Sequence, residues 1–156
     1  MRKLPLVAAL GALLVAPSVA SAATLKIDVV SNRADLISAG DALVEAFAVR
    51  ALGGADTITV NDLAGTGVET VGVDLPADGQ ADTVVTNGTD GADAARVSRS
   101  GAQARVRGLG AETRVAGGEP ALDALRVQTL AGDDEITLAS NVSDLIGLVL
   151  DLGADD

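Results

Sequence analysis

Histidine, cysteine, tryptophan and tyrosine are all missing from this chain, and Phe47 is its one aromatic residue. Without cysteine there is neither a disulfide to staple the fold nor a thiolate nucleophile. Without histidine, Ser-His-Asp and Cys-His arrangements and His-bearing metal sites are excluded. Aromatics normally supply much of the buried area of a globular α/β core, so here Val, Leu, Ile and Ala must fill the interior. Small branched side chains in thin layers suit stacked β structure. Positive charge is also short: 11 Lys and Arg stand against 22 Asp and Glu, a net charge of −11 that argues against a nucleic-acid partner.

Long apolar runs are missing too, except at the start. Met1-Arg2-Lys3, the apolar stretch Leu4–Val15 and the small-residue end Ala20-Ser21-Ala22 form the three parts of a secretory signal peptide, with cleavage expected after Ala22. The apolar stretch has 12 residues, short of the roughly 20 that span a bilayer. Removing Arg2 and Lys3 leaves nine basic residues against 22 acidic ones, a net charge of −13. An exported or cell-surface chain with this acidic excess, and no membrane span once cleaved, fits cation binding or plain solubility.

After the leader, residues 23–44 read as an N-terminal strand segment. Leu25, Ile27 and Val29 alternate with polar residues, and residues 34–48 carry enough Ala and Glu for a helix. Residues 45–156 change texture to short Val/Ile/Leu/Thr runs separated by Gly, Asp, Asn and Ala. Strands are expected at 56–60, 68–75, 82–86, 95–98, 103–107, 112–116, 125–129, 134–138 and 145–152.

The chain also repeats itself at a distance of 78 residues. Val49-Arg-Ala-Leu52-Gly-Gly54-Ala-Asp56-Thr-Ile58-Thr59 matches Val127-Gln-Thr-Leu130-Ala-Gly132-Asp-Asp134-Glu-Ile136-Thr137 at Val, Leu, Gly, Asp, Ile and Thr. Asp56-Thr-Ile-Thr-Val recurs as Asp82-Thr-Val-Val-Thr after 26 residues, one third of that distance. The expected fold is therefore all-β, a parallel β-helix or solenoid with rungs of about 26 residues. An antiparallel β-sandwich is the alternative, since strands recur every 8–12 residues or so. The solenoid would stack Ile58, Val84 and Ile136 in one buried column, with Thr57, Thr59 and Thr137 outside.

A Gly-x-Asp-x-aliphatic unit recurs as Gly54-Ala-Asp56-Thr-Ile58, Gly132-Asp133-Asp134-Glu-Ile136 and, weakened, Gly91-Ala-Asp93-Ala-Ala95; Gly153-Ala-Asp155-Asp156 begins it again. It resembles the second half of the calcium-binding nonapeptide of the RTX (haemolysin-type) proteins. The wider stretch from about residue 47 to 156 is similar to the β-helical region that precedes the nonapeptide array in some large secreted bacterial proteins. In that family Gly-rich turns offer carbonyls and the Asp a carboxylate to calcium. The resemblance thus implies calcium as the cofactor and Asp56, Asp93, Asp133, Asp134, Asp155 and Asp156 as its ligands. Leu150-Asp-Leu-Gly-Ala-Asp-Asp156 looks like the opening of such an array, so the solenoid is expected to be truncated at its C-terminal end. The Asp positions 56, 93, 134 and 155 lie 37, 41 and 21 apart rather than nine, so a calcium cage shared between successive turns is not expected here.

Ser31-Asn-Arg-Ala-Asp-Leu-Ile-Ser-Ala-Gly-Asp-Ala-Leu-Val44 is similar instead to the start of a family of exported tannase-like hydrolases, and carries no catalytic element. Finally, Arg96, Arg99, Arg105, Arg107 and Arg114 fall within 19 positions of an acidic chain. They read as a solvated face paired with Glu112, Asp93 or acids on adjacent rungs, or as a face for an acidic cell-surface glycan, with Arg105 and Arg107 on one side of a strand. The reading is of a non-enzymatic, exported scaffold or spacer from an RTX-like calcium-binding protein, holding calcium at most weakly. The alternatives are a glycan-binding adhesion solenoid and the N-terminal part of a secreted hydrolase.

Overall fold

Two-residue alternation builds nearly every strand. In β3 (Thr57–Val60), β4 (Thr70–Asp74), β5 (Thr83–Asn87), β7 (Gln103–Arg107), β8 (Glu112–Ala116) and β9 (Ala124–Gln128) every second side chain is buried. Val, Ile, Leu, Ala and two Thr therefore line one shared core while Thr, Arg and Gln face outward. β2 (Ala46–Arg50), β6 (Ala94–Ser100), β10 (Glu135–Leu138), β11 (Gly147–Asp151) and, by its backbone, β1 (Thr24–Ile27) complete the set. The computed structural model describes residues 24–27, 46–139 and 141–154. The expected signal peptide, residues 34–45 and the pair Asp155 and Asp156 lie outside the described residues.

Among the described residues the chain is all-β, with no helix and two sheets. The five-stranded sheet, in the order β1-β3-β5-β9-β11, is parallel throughout. The six-stranded sheet, in the order β10-β6-β7-β8-β4-β2, is mixed: β2-β4-β8 and β6-β10 pair in parallel, whereas β6-β7-β8 form an antiparallel meander. Outside that meander the chain crosses to the other sheet after each strand. Parallel neighbours cannot be joined by a tight hairpin, so each return must travel through the opposite sheet.

All nine strands expected between 56 and 152 are present, with ends shifted by a few residues at most. Three expectations are corrected. Residues 46–48 are strand rather than helix, because β2 pairs along its whole length with β4 and buries Val49, which overrides the helix preference of alanine. Antiparallel pairing is confined to β6-β7-β8, so the antiparallel sandwich does not describe the sheets. Third, the 26-residue step holds once, between Ile58 and Val84; the next partner is Leu125, and then Leu148.

Ile136 therefore does not join the Ile58 column. It sits in the other sheet, opposite Ala95. The meander is the cause: β6 and β7 stay in the six-stranded sheet and use up chain without advancing the five-stranded one, which puts the 78-residue repeat half a turn out of phase. The repeat thus joins two crossings of opposite direction, β2 to β3 and β9 to β10.

The stacked crossings approach each other closely. Leu75 donates its N–H to the Ala116 carbonyl at 2.9 Å. The next residue, Gly117, has φ +79°, and a Cβ there would overlap the Leu75 carbonyl oxygen. Gly65, at φ +74°, has open space around it. Gly65→Ala should lower stability by roughly 1 kcal/mol, the strain of a left-handed alanine, whereas Gly117→Ala should lose clearly more in urea denaturation. Equal losses would mean that the crossings are not stacked this tightly.

Candidate functional site

Five aspartates each stand immediately before a strand. Asp56, Asp82 and Asp123 precede β3, β5 and β9 of the five-stranded sheet, while Asp93 and Asp134 precede β6 and β10 of the other. The carboxylate of the later residue accepts the backbone N–H of the earlier one. Asp56 N donates to Asp82 Oδ1 at 2.8 Å, Asp82 N to Asp123 Oδ1 at 2.9 Å, and Asp93 N to Asp134 Oδ1 at 2.8 Å.

The second oxygens gather their own loops. Asp123 Oδ2 accepts the Glu119 N–H at 2.7 Å and Asp93 Oδ2 the Thr89 N–H at 2.7 Å. Asp78 holds the neighbouring turns in the same manner, accepting Gly54 N and Gln80 N at 2.9 Å each. These hydrogen bonds, that from Gly54 foremost, hold the Asp78 carboxyl below its ordinary value.

The structure brings Asp93 and Asp134 together and puts Asp56 at another crossing; Asp133 is exposed and makes no hydrogen bond or ion pair among the described residues. Asp82 and Asp123, which complete the ladder, lack the Gly two positions earlier. Their legible signal is only Asp-x-aliphatic at a strand start: Asp82-Thr-Val84 and Asp123-Ala-Leu125.

Calcium takes six to eight oxygens, whereas Asp93, Asp123 and Asp134 each turn at least one carboxylate oxygen to a backbone N–H. Among the described residues no group of three or more Asp, Glu, His or Cys converges to hold a metal.

Asp82 carries the strain of the ladder. It is fully buried, and its Oδ2 has no hydrogen-bond partner. Burial raises its carboxyl above the ordinary value; the Asp56 N–H works against that, while the charges of Asp123, Asp56 and Asp78 add to it.

The second candidate is the arginine cluster. Arg96 stands opposite Arg107, and Arg105 opposite Arg114, on the outward face of the meander. One carboxylate serves three of the four. Glu112 accepts from Arg114 Nε at 3.0 Å and Nη2 at 3.3 Å, and pairs with Arg107 Nε at 3.2 Å and Arg105 Nε at 3.6 Å.

These contacts, that of Arg114 first, hold the Glu112 carboxyl below its usual value and raise Arg114 in return. Arg99 leans away, bonded to the Gly101 and Asn141 carbonyls and paired with Asp144 at 3.5 Å. Of the two partners expected by number for these arginines, Glu112 pairs with three of them, while no pairing with Asp93 is seen among the described residues.

No protein-family profile, no curated protein and no solved structure matches this chain. Its two candidate sites therefore stand on geometry and chemistry alone.

Two outcomes follow for the ladder. Asp123→Ala orphans two N–H donors, one of them on buried Asp82, at about 1–3 kcal/mol each, whereas Asp133→Ala should stay within about 0.5 kcal/mol of the parent. Similar losses for both in chemical denaturation would show that the ladder is not what stabilises the crossings.

The second concerns pH. A raised folded pKa means that the stabilising share of Asp82 is complete below its ordinary value of 3.8 and is lost as pH rises through the folded value. Asp78 and Glu112 behave oppositely, being stabilising above their ordinary values of 3.8 and 4.5 and losing that share on acidification. Asp82→Asn keeps the acceptor for Asp56 but cannot ionise. Its stability relative to the parent should increase from about pH 3 to about pH 7; a flat difference across thermal melts at those pH values would contradict the burial argument.

Proposed function

We propose that this chain is a β-solenoid module of an exported RTX-like protein, a non-enzymatic scaffold or spacer that holds calcium at most weakly. Four inward side chains from successive strands, Ile58, Val84, Leu125 and Leu148, lie in register along the five-stranded sheet. That column is the observation on which the reading chiefly rests, because a core built by repeating one layer transmits length rather than enclosing a substrate. Two of the aspartates that would have been ligands, Asp93 and Asp134, each turn a carboxylate oxygen to a backbone N–H, which supports a role in locking rung to rung.

A hydrolase reading rests on residues 31–44, which lie outside the described residues. Nothing in the core or the turns adds to it.

Calorimetric titration of the whole chain with calcium tests the scaffold reading. The expected result is no saturable binding, and no shift of the melting temperature, at up to about 1 mM calcium, the upper range for extracellular calcium modules. A saturable site of micromolar affinity would turn the reading into that of a calcium-binding module proper.

A further inference from the structure

The outward face of the six-stranded sheet runs against the charge of the rest of the chain. Three rows cross its strands in register. The first holds Arg96 and Arg107; the second Ser98, Arg105, Arg114, Gly72 and Ala48; the third Ser100, Gln103, Ala116, Asp74 and Arg50.

Like charges directly opposite on adjacent strands repel. The fold nevertheless keeps two such arginine pairs with Glu112 as the one carboxylate between them. Arg96 has no hydrogen bond or ion pair among the described residues, and Arg105 Nε is buried with no hydrogen bond and only a 3.6 Å ion pair to Glu112. The cluster is short of anionic oxygen, and Glu112 shows the kind it takes: a carboxylate gripped by a guanidinium fork.

Beyond Arg114 the surface falls to Gly72, Ala48 and Ala116, leaving a shallow groove rimmed by Arg50, Gln103 and Arg114, with Asp74 the one carboxylate among its lining residues. From β6 to β2 this face presents no apolar side chain larger than alanine, only hydroxyl, amide and charged groups. It offers no anchor for a peptide's apolar side chain. Its span across four strand gaps is about 19 Å, enough for several sugar residues.

We propose that this face binds a linear polyuronate, a glycan with one carboxylate per sugar. Its carboxylates sit on the Arg96–Arg107 and Arg105–Arg114 pairs, and its rings lie along the groove over Gly72. A chain of net charge −11 repels dense polyanions such as duplex DNA at long range. A sparsely charged glycan incurs less of that repulsion and still gains the short-range forks.

The test is calorimetry or affinity electrophoresis of the whole chain with polygalacturonate, in chelator and about 0.1 M salt, against neutral dextran, heparin and duplex DNA. Polygalacturonate should bind and dextran should not. Arg96→Gln, which breaks no hydrogen bond or ion pair among the described residues, should weaken binding roughly three- to tenfold. Glu112→Gln removes the internal competitor and should tighten it; if that variant does not fold, Arg96→Gln decides alone. The proposal is overturned by no binding to polygalacturonate, by binding that Arg96→Gln leaves unchanged, or by a preference for heparin or DNA.

Discussion

Parallel pairing is the constraint from which the rest of this structure follows. Two parallel neighbours can be connected only by a chain that leaves the sheet and returns, so each strand here ends in a crossing to the opposite sheet. Every crossing then stacks on the one before it, and the backbone N–H groups where strands begin need acceptors that the ladders do not supply. The Asp residues before β5, β9 and β10 answer that need, each accepting an N–H from the preceding layer. The glycine at Gly117 answers the accompanying steric need, where one crossing presses against the next.

The same constraint gives the carboxylates at the turns of an acidic chain a structural use. A carboxylate that accepts amide hydrogens has its lone pairs directed at donors of positive partial charge, and it is already satisfied. Asp82 and Asp134 show the tension, each with one oxygen bonded and the other buried and bare, and at Asp82 three other acidic side chains add to the rise that burial causes. The meander resolves a different tension. It departs from the crossing rule, and by doing so it places four arginines on a single face, three of them around one glutamate.

Much of this was legible from residue order alone. The alternation of Ile58, Val60, Val84, Leu125 and Val127 with polar neighbours marks strands directly, because period two has no helical counterpart. The Asp56 and Asp82 turns were visible as a 26-residue recurrence, and that step is the register between β3 and β5. The ladder itself was not legible as such. Asp82 and Asp123 carry no glycine signal, and a carboxylate positioned for calcium looks the same in one dimension as a carboxylate positioned for an amide. Ile136 was misplaced for a related reason: the short hairpin at Gly101 adds residues without adding a layer to the five-stranded sheet.

By itself, then, the sequence determined an all-β chain with a thin aliphatic core, aspartates at strand starts and no histidine or cysteine chemistry. Those properties depend on composition and on neighbours two or four residues apart. Only the tertiary structure decided which strand lies over which, that Ile136 belongs to a different sheet from Ile58, and that Arg105, Arg107 and Arg114 surround Glu112 with Arg96 opposite Arg107. Pairings across tens of residues depend on where the chain turns back within a sheet rather than crossing. That choice is made by the packing of whole strands, not by any local run of residues.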